Sequence, residues 1–341
     1  MAASGKAAFP AIGPAAWQAT GRPVYEGGSP AGPAMQFYDF TTGSMPAGAT
    51  LTRASSATRF NSSGALVSET TDVARFDHSF DGESWSLAGL LVEPQRTNLI
   101  LRSQDFSNAA WVKENATVTV DQVSPSGASD GNRIAANSTA TTFRTVYQQP
   151  ISGLSTVAHA HSAFFKKEDW RWMALRWSNL YGSAGDVSVD LDSGAIGTPP
   201  GGMAASILNV DNGWYRGQLV GTVTTTSNSR VQLGCGGNGA SSAVHFSGTS
   251  GDGNLLWGAQ LEAGSFPTSY IATAGSAVTR AADLLTLDLP DGDWDLSVLT
   301  PNGTFAGQVT VSGGNGYEFD WAALTGALTE RHVCSITASP T

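Results

Sequence analysis

Aromatic rings set beside guanidinium and carboxylate groups are the residues of this chain best placed to do chemistry. Glu168-Asp169-Trp170-Arg171-Trp172 puts two tryptophans among charges, with Arg176 four residues further on and Tyr181 on the next loop. Such a set suits recognition of a sugar. The C–H faces of a sugar ring lie against flat aromatic rings, and its hydroxyls bond to planar polar groups. Trp214, Arg216 and Gln218 alternate along a second stretch and would continue the same outward face. Gln232 and His245 are lesser members of the set. Burial is the competing reading, because tryptophan is highly buried on average. Trp177 and Trp257 share strand faces with Met, Leu and Ala, so they read as core. Trp170 and Trp172, flanked by charges, stay open between surface and core.

Other chemistries find less support. His159 and His161 would share one strand face, but two imidazoles are only part of a transition-metal site, and no third ligand lies nearby in sequence. A packed or exposed polar pair is the better reading. Asp77 and His78 are adjacent, and a strand would point them to opposite faces. No His-Glu-x-x-His or phosphate loop occurs. Glycoside hydrolysis asks only for two spaced carboxylates, and 28 acidic residues always offer some pair. The chain is therefore read as a binder and not as an enzyme, with catalysis as an alternative.

The elements that must hold these residues are strands. Short alternating runs recur at Ala116–Val120, Arg144–Gln148, Val157–Lys166, Trp172–Trp177, Asp186–Leu191, Gly213–Val220, Arg230–Cys235, Ala243–Gly248 and Leu255–Glu262. Turns such as Asp192-Ser193-Gly194 and Asp211-Asn212-Gly213 separate them. No 3.6-residue periodicity competes. The spacing predicts an all-β sandwich or jelly roll over residues 89–283. Within it, Val187, Val189 and Leu191 form one apolar face, and Leu255, Trp257, Ala259 and Leu261 another. Residues 1–45, rich in Ala, Gly and Pro, read as an irregular extended docking arm with Phe9, Trp17, Tyr25, Phe37 and Tyr38 as anchors. Residues 46–88 read as a short β segment. Residues 284–341 read as a small β domain whose Tyr317, Phe319 and Trp321 need a surface to bury against.

Charge narrows the partners. The formal net charge of −10 argues against nucleic acid and anionic lipid. From residue 284 onward there are seven acidic residues and one basic one. Cys235 and Cys334 fall in different predicted domains and read as free thiols. The first residues lack the apolar core of a secretory signal, and no run of about 18 apolar residues exists to span a membrane.

Three stretches carry a family resemblance: LTRASSATRFNSSGALVSE (Leu51–Glu69), GLLVEPQRTNLILRSQDFSNAAW (Gly89–Trp111) and WGAQLEAGSFPTSYIATAGSAVTRAAD (Trp257–Asp283). Together they resemble the jelly-roll, carbohydrate-binding-module-like proteins of phage tail fibres and head spikes, a type also found on gene transfer agents. The likeness brackets roughly residues 50–283, and it implies that the segment 46–88 wraps the sandwich. It implies a virion protein assembled in the host cytoplasm, attached to other virion proteins through its N-terminal arm and often trimeric. It implies host adsorption through bacterial surface polysaccharide, without cleavage. The alternatives are a structural decoration or connector protein and a polysaccharide-degrading spike. In the resembled proteins the Asn-Gly-Trp-Tyr-Arg stretch is structural, which favours a core role for Trp214. Some such modules hold a structural calcium where first and last strands meet. Asp105 and Glu262 flank that place here, but solvated or hydrogen-bonded carboxylates are preferred, so no cofactor is expected.

Overall fold

The structure, a computed structural model, describes residues 33–178, 185–235, 245–246, 248–324 and 331–341. Among them the chain is all-β, apart from one 3-10 turn at Trp321–Ala323. Two antiparallel six-stranded sheets dominate. The first runs, in spatial order, Ala204–Asn209, Trp214–Thr222, Ala158–Lys166, Gly253–Ala263, Gly131–Ala136 and Ala116–Gln122. The second runs Ala195–Ile196, Gly185–Asp190, Trp172–Ser178, Arg230–Cys235, Thr145–Gln148 and Val112–Glu114. Their facing sides share one core. Phe165, Leu219 and Leu261 come from the first sheet, and Leu175, Val189 and Leu233 from the second. The expected face of Val187, Val189 and Leu191 is in this core.

The expected face of the Leu255–Glu262 run is split. Ala259 and Leu261 enter the core, whereas Leu255 and Trp257 pack on the outside of the first sheet. The cause is Gly258 at φ +63°, where the pairing with Ala158–Lys166 slips. One residue of slip reverses every side chain beyond it.

His159 and His161 point into the same core as Ala163 and Phe165, and both are fully buried. The His161 ring lies 6.4 Å from that of Trp177. Burial pushes His161 down to about 3 from its usual 6.5.

The first and last described strands meet in a second body of strands. Gln36–Asp39, expected within the extended arm, is a strand paired with Ser335–Pro340, with Tyr38 buried beside it. Phe37 is exposed, and Phe9, Trp17 and Tyr25 lie outside the described residues. Ala49–Thr52 pairs with Leu284–Leu287, and His332–Val333 with the Trp85–Leu91 strand. Phe319 and Trp321 find their surface here. Phe319 joins a core with Leu90 and Val92, and the Trp321 indole donates to the Val92 carbonyl at 3.0 Å.

Between these bodies lies a buried ionic network. Arg53, Arg75 and Arg280 surround Glu93 and Asp283, and all five side chains are at most 1% exposed. Arg53 reaches Asp283 at 2.9 Å, Arg75 reaches Glu93 at 3.0 Å, and Arg280 reaches Glu93 at 2.8 Å. Arg75 also pairs with Asp283, and the half-exposed Arg331 with Glu93 at 3.4 Å. The Glu93 and Asp283 backbones are clasped as well, since the Asp283 N–H donates to the Glu93 carbonyl at 2.9 Å. Burial alone would raise the Glu93 carboxyl. The guanidiniums of Arg280, Arg75 and Arg331 overcome that and hold it well below its usual range.

Two predictions follow from this packing. Asp283→Asn strands three guanidiniums beside one carboxylate. It should lower stability by about 3–5 kcal/mol in urea unfolding at pH 7, whereas Asp192→Asn on the surface leaves the midpoint in place; equal midpoints for the two would show that the network carries no weight. The second concerns acid. Between pH 6.5 and 3 the unfolded chain protonates His161 and the folded chain does not, so stability falls as pH drops below about 6.5. At pH 5 the loss is about 2 kcal/mol from this residue. His161→Leu should flatten the pH 5–7 slope, and an unchanged slope would assign it elsewhere.

Candidate functional site

The outer face of the second sheet carries much of the predicted set. Along Trp172–Ser178, Met173, Leu175 and Trp177 are fully buried in the core, which turns Trp172, Ala174 and Arg176 outward. Trp172 is half-buried. The Arg171 guanidinium lies over its ring, 5.0 Å from the centroid, and forks onto Asp190 at 2.9 and 2.6 Å. Asp190 is the cross-strand partner of Trp172 and also accepts from Ser193 at 2.6 Å. The Arg171 hydrogen bond, more than any other contact, holds the Asp190 carboxyl far below its usual range. Arg171 and Trp172 are thus locked together in one orientation. Glu168 and Asp169 both engage Arg133. Trp170 packs against the core, and its backbone is bonded on both sides to Asn254. It supports the loop.

Arg176 sits in a cross-strand row. Tyr147 faces Gln232, Gln232 faces Arg176, and Arg176 faces Asp186 across four adjacent strands. At about 4.8 Å per strand the row spans about 14 Å. Ser178 connects the middle of it, accepting from Arg176 at 3.3 Å and donating to Gln232 at 2.7 Å. The Arg176 guanidinium lies 4.8 Å above Phe143, whose ring covers Ala174, and Arg230 lies 4.1 Å above Tyr147. The row is therefore preorganised by its own stacking, which lowers the ordering cost of binding. Tyr181 lies outside the described residues. Of His245, the structure describes only the backbone, which pairs with Phe143.

Trp214, Arg216 and Gln218 do not continue this face. Their strand belongs to the first sheet, because it pairs in full register with Ala158–Lys166. The single-strand pattern shows which residues alternate but not which sheet they join. Trp214 is buried, in a cluster with Val210, Leu255 and Trp257. Arg216 is also buried. It lies 5.3 Å over Phe164 and donates to Ser162 at 2.8 Å and to the Thr268 carbonyl at 2.8 Å. Burial pushes its guanidinium down to about 10, so it remains a cation at neutral pH. Gln218 is half-buried and accepts from Ser206 at 2.7 Å.

The outer side of the first sheet instead forms one wall of a pocket. The hairpins around residues 57–91 supply the other wall, with an aromatic bank of Phe60, Phe80 and Trp85. The Trp85 ring centroid stands 5.2 Å from Phe60 and 5.5 Å from Phe80, and its indole N–H donates to Asp211 at 3.1 Å. Gly64, at φ +80°, lets the turn cross that ring, since a Cβ there would come within 2.3 Å of Trp85. Asp77, Arg216, Arg331 and His332 supply charged or polar lining. The His332 imidazole bonds Asp77 at 2.8 Å across 255 residues of sequence, so no local spacing reveals the pair. The space is about 90 Å³. Beside it a shallower groove of about 270 Å³ runs past Ser206, Gln218 and Phe266, and Arg331 borders both.

The calcium positions are taken by protein donors. Asp105 accepts from Ser107 and Asn108, and Glu262 from Thr268 and Gln260. Among the described residues no group of three or more His, Cys, Asp or Glu side chains is arranged to hold a metal ion.

The two sheets should answer differently to mutation. Trp214→Ala removes a buried indole and is expected to cost about 3–5 kcal/mol of stability, while Arg171→Ala, at a half-exposed side chain, should cost only a small fraction of that, because exposed ion pairs contribute little. A large melting loss in the Arg171 variant would mark the Trp172 face as structural. In comparison with known proteins, the chain matches no family model and no curated protein.

Proposed function

We propose that the chain is a phage-type virion appendage protein that adheres to bacterial surface polysaccharide without cleaving it. The observation that carries this is the outward row Tyr147–Gln232–Arg176–Asp186, with the Arg171–Trp172 pair on the same sheet face. Stacked rings and planar donors and acceptors on an outward sheet face match the apolar faces and hydroxyls of a glycan. The strand order supports the jelly-roll expectation. Taking the central four strands of each sheet, at residues 131–136, 145–148, 158–166, 172–178, 185–190, 214–222, 230–235 and 253–263, the chain passes back and forth between sheets, and among these eight only 172–178 and 185–190 follow one another in the same sheet. The central four strands of each sheet then follow the order of a wrapped double Greek key.

A single sugar site of this kind binds weakly. Trimeric copies on a particle would raise effective concentration and give firm attachment. In this reading the N-terminal arm holds the protein to its virion partners, and Phe37 is an exposed apolar residue at its inner end.

Purified protein should adsorb to capsulated cells and not to an isogenic strain lacking surface polysaccharide. Trp172→Ala with Arg176→Ala should weaken adsorption about tenfold or more, equivalent to about 1.4 kcal/mol, with the fold retained. Failure of the folded, multivalent protein to adsorb to either strain would favour the connector reading. Release of reducing ends from the polysaccharide would favour the degrading one.

A further inference from the structure

We propose that the pocket between the residue 57–91 hairpins and the first sheet binds a carboxylate-bearing sugar, with Arg331 and Arg216 toward the carboxylate and Trp85 and Phe80 against the ring. The inference rests on the glycan reading of the chain but not on the Trp172 face, which lies on the other sheet.

The two sides of the pocket differ in kind. Phe60, Phe80 and Trp85 form a connected aromatic bank, held in orientation by the Trp85–Asp211 hydrogen bond and by the absence of a side chain at Gly64. Such a bank suits the apolar face of a sugar ring. The rest of the lining includes Arg59, Arg216 and Arg331, with Asp77 held by His332. Arg216 is buried with its guanidinium on Ser162 and Thr268, near Glu262 and Glu93. Glu262 is already engaged by Thr268 and Gln260, and Glu93 by Arg75 and Arg280 and, at 3.4 Å, by Arg331, which also donates to the Pro267 carbonyl at 3.0 Å. Arg331 lies near enough to Arg216 for their charges to repel. Arg331 makes the longest of the three Glu93 pairs and lines the pocket, and a planar guanidinium fork matches a carboxylate. Arg331 is 26% exposed, so a ligand can reach it from solvent.

Size sets the rest. About 90 Å³ is the room of about three waters. It takes one carboxylate-bearing end of a ring, not an oligosaccharide. The adjoining groove of about 270 Å³, with Ser206, Gln218 and Phe266, offers hydrogen bonds and one more ring to the next sugar. Arg331 stands where the two meet, so the geometry suits an acidic residue followed by a neighbour in a chain.

The test is calorimetric titration of the full chain with trigalacturonate and with its methyl ester, which keeps the size and removes the charge. The acid should bind, weaken as salt is raised from 50 to 500 mM, and weaken at least tenfold in Arg331→Gln; the ester should give no measurable binding. The acid–ester comparison needs no variant, so a folding defect cannot mask the result. Equal binding of acid and ester, an unchanged affinity in Arg331→Gln, or no binding of the acid at several millimolar overturns the proposal. Lost uronate binding with polysaccharide-dependent adsorption intact removes this pocket alone. Uronate binding without adsorption to cells removes the adhesion reading alone.

Discussion

Two carboxylates hold this fold together. Glu93 and Asp283 are fully buried, and each would be costly in that environment without the guanidiniums of Arg53, Arg75 and Arg280. The arrangement ties four distant parts of the chain. Arg53 comes from the first motif-bearing stretch, Glu93 from the second, and Arg280 and Asp283 from the third, while Arg75 lies between the first two. A buried network of this kind tolerates few alternatives, because losing one partner leaves the others unpaired. It fixes where the strands of residues 36–92 and 284–340 meet the sandwich. The three stretches Leu51–Glu69, Gly89–Trp111 and Trp257–Asp283 therefore converge on packing.

That convergence decides which surfaces are available. The outer side of the first sheet is largely covered, since Phe60, Leu66 and Tyr270 pack on Phe164, Trp214 and Trp257. Trp214 and Arg216 are consumed by this covering, and what stays open there is a pocket and a groove at its margin. Among the described residues the outer side of the second sheet is covered around Phe143, with Gln232 buried, and keeps Trp172, Arg176 and Tyr147 partly exposed. One sheet thus offers a partly exposed row and the other a recess. The difference comes from where the flanking segments dock, not from the sheets themselves.

Much of the sandwich was legible in sequence because a half-buried strand must alternate. Val187, Val189 and Leu191 on one face, and Met173, Leu175 and Trp177 on another, are period-two signals with no competing helical reading. Gly258 broke the rule in the last strand, since a bulge is written in one residue's backbone and not in its neighbours' polarity. The candidate site was legible by residue type and only partly by place. Trp172 and Arg176 share a face because they share a strand. Arg216 and Gln218 sit on another sheet because pairing between strands is a long-range choice. The network was hidden for a different reason. Isolated Arg, Glu and Asp residues read as surface, and only three-dimensional convergence makes them core. Asp77 was discounted beside His78, and its imidazole partner is His332, 255 residues away.

Electrostatics bears on how such a molecule meets an acidic polymer. The chain carries a formal net charge of −10, which at long range opposes an anionic polysaccharide. At physiological salt the screening length is about 8 Å, so the overall charge acts weakly at the distance of contact. What a sugar carboxylate feels on arrival is the nearest few groups. In the pocket these are Arg59, Arg216, Arg331 and the His332–Asp77 pair, while several of the acids lie in the C-terminal part of the chain, such as Asp291, Asp293 and Asp295. On the proposed reading, segregating charge in this way would let a net acidic protein accept a carboxylate at one recess. The cost would be a slower encounter, because long-range steering is lost. Multivalent display would offset that cost, since only the first of several contacts must form by diffusion.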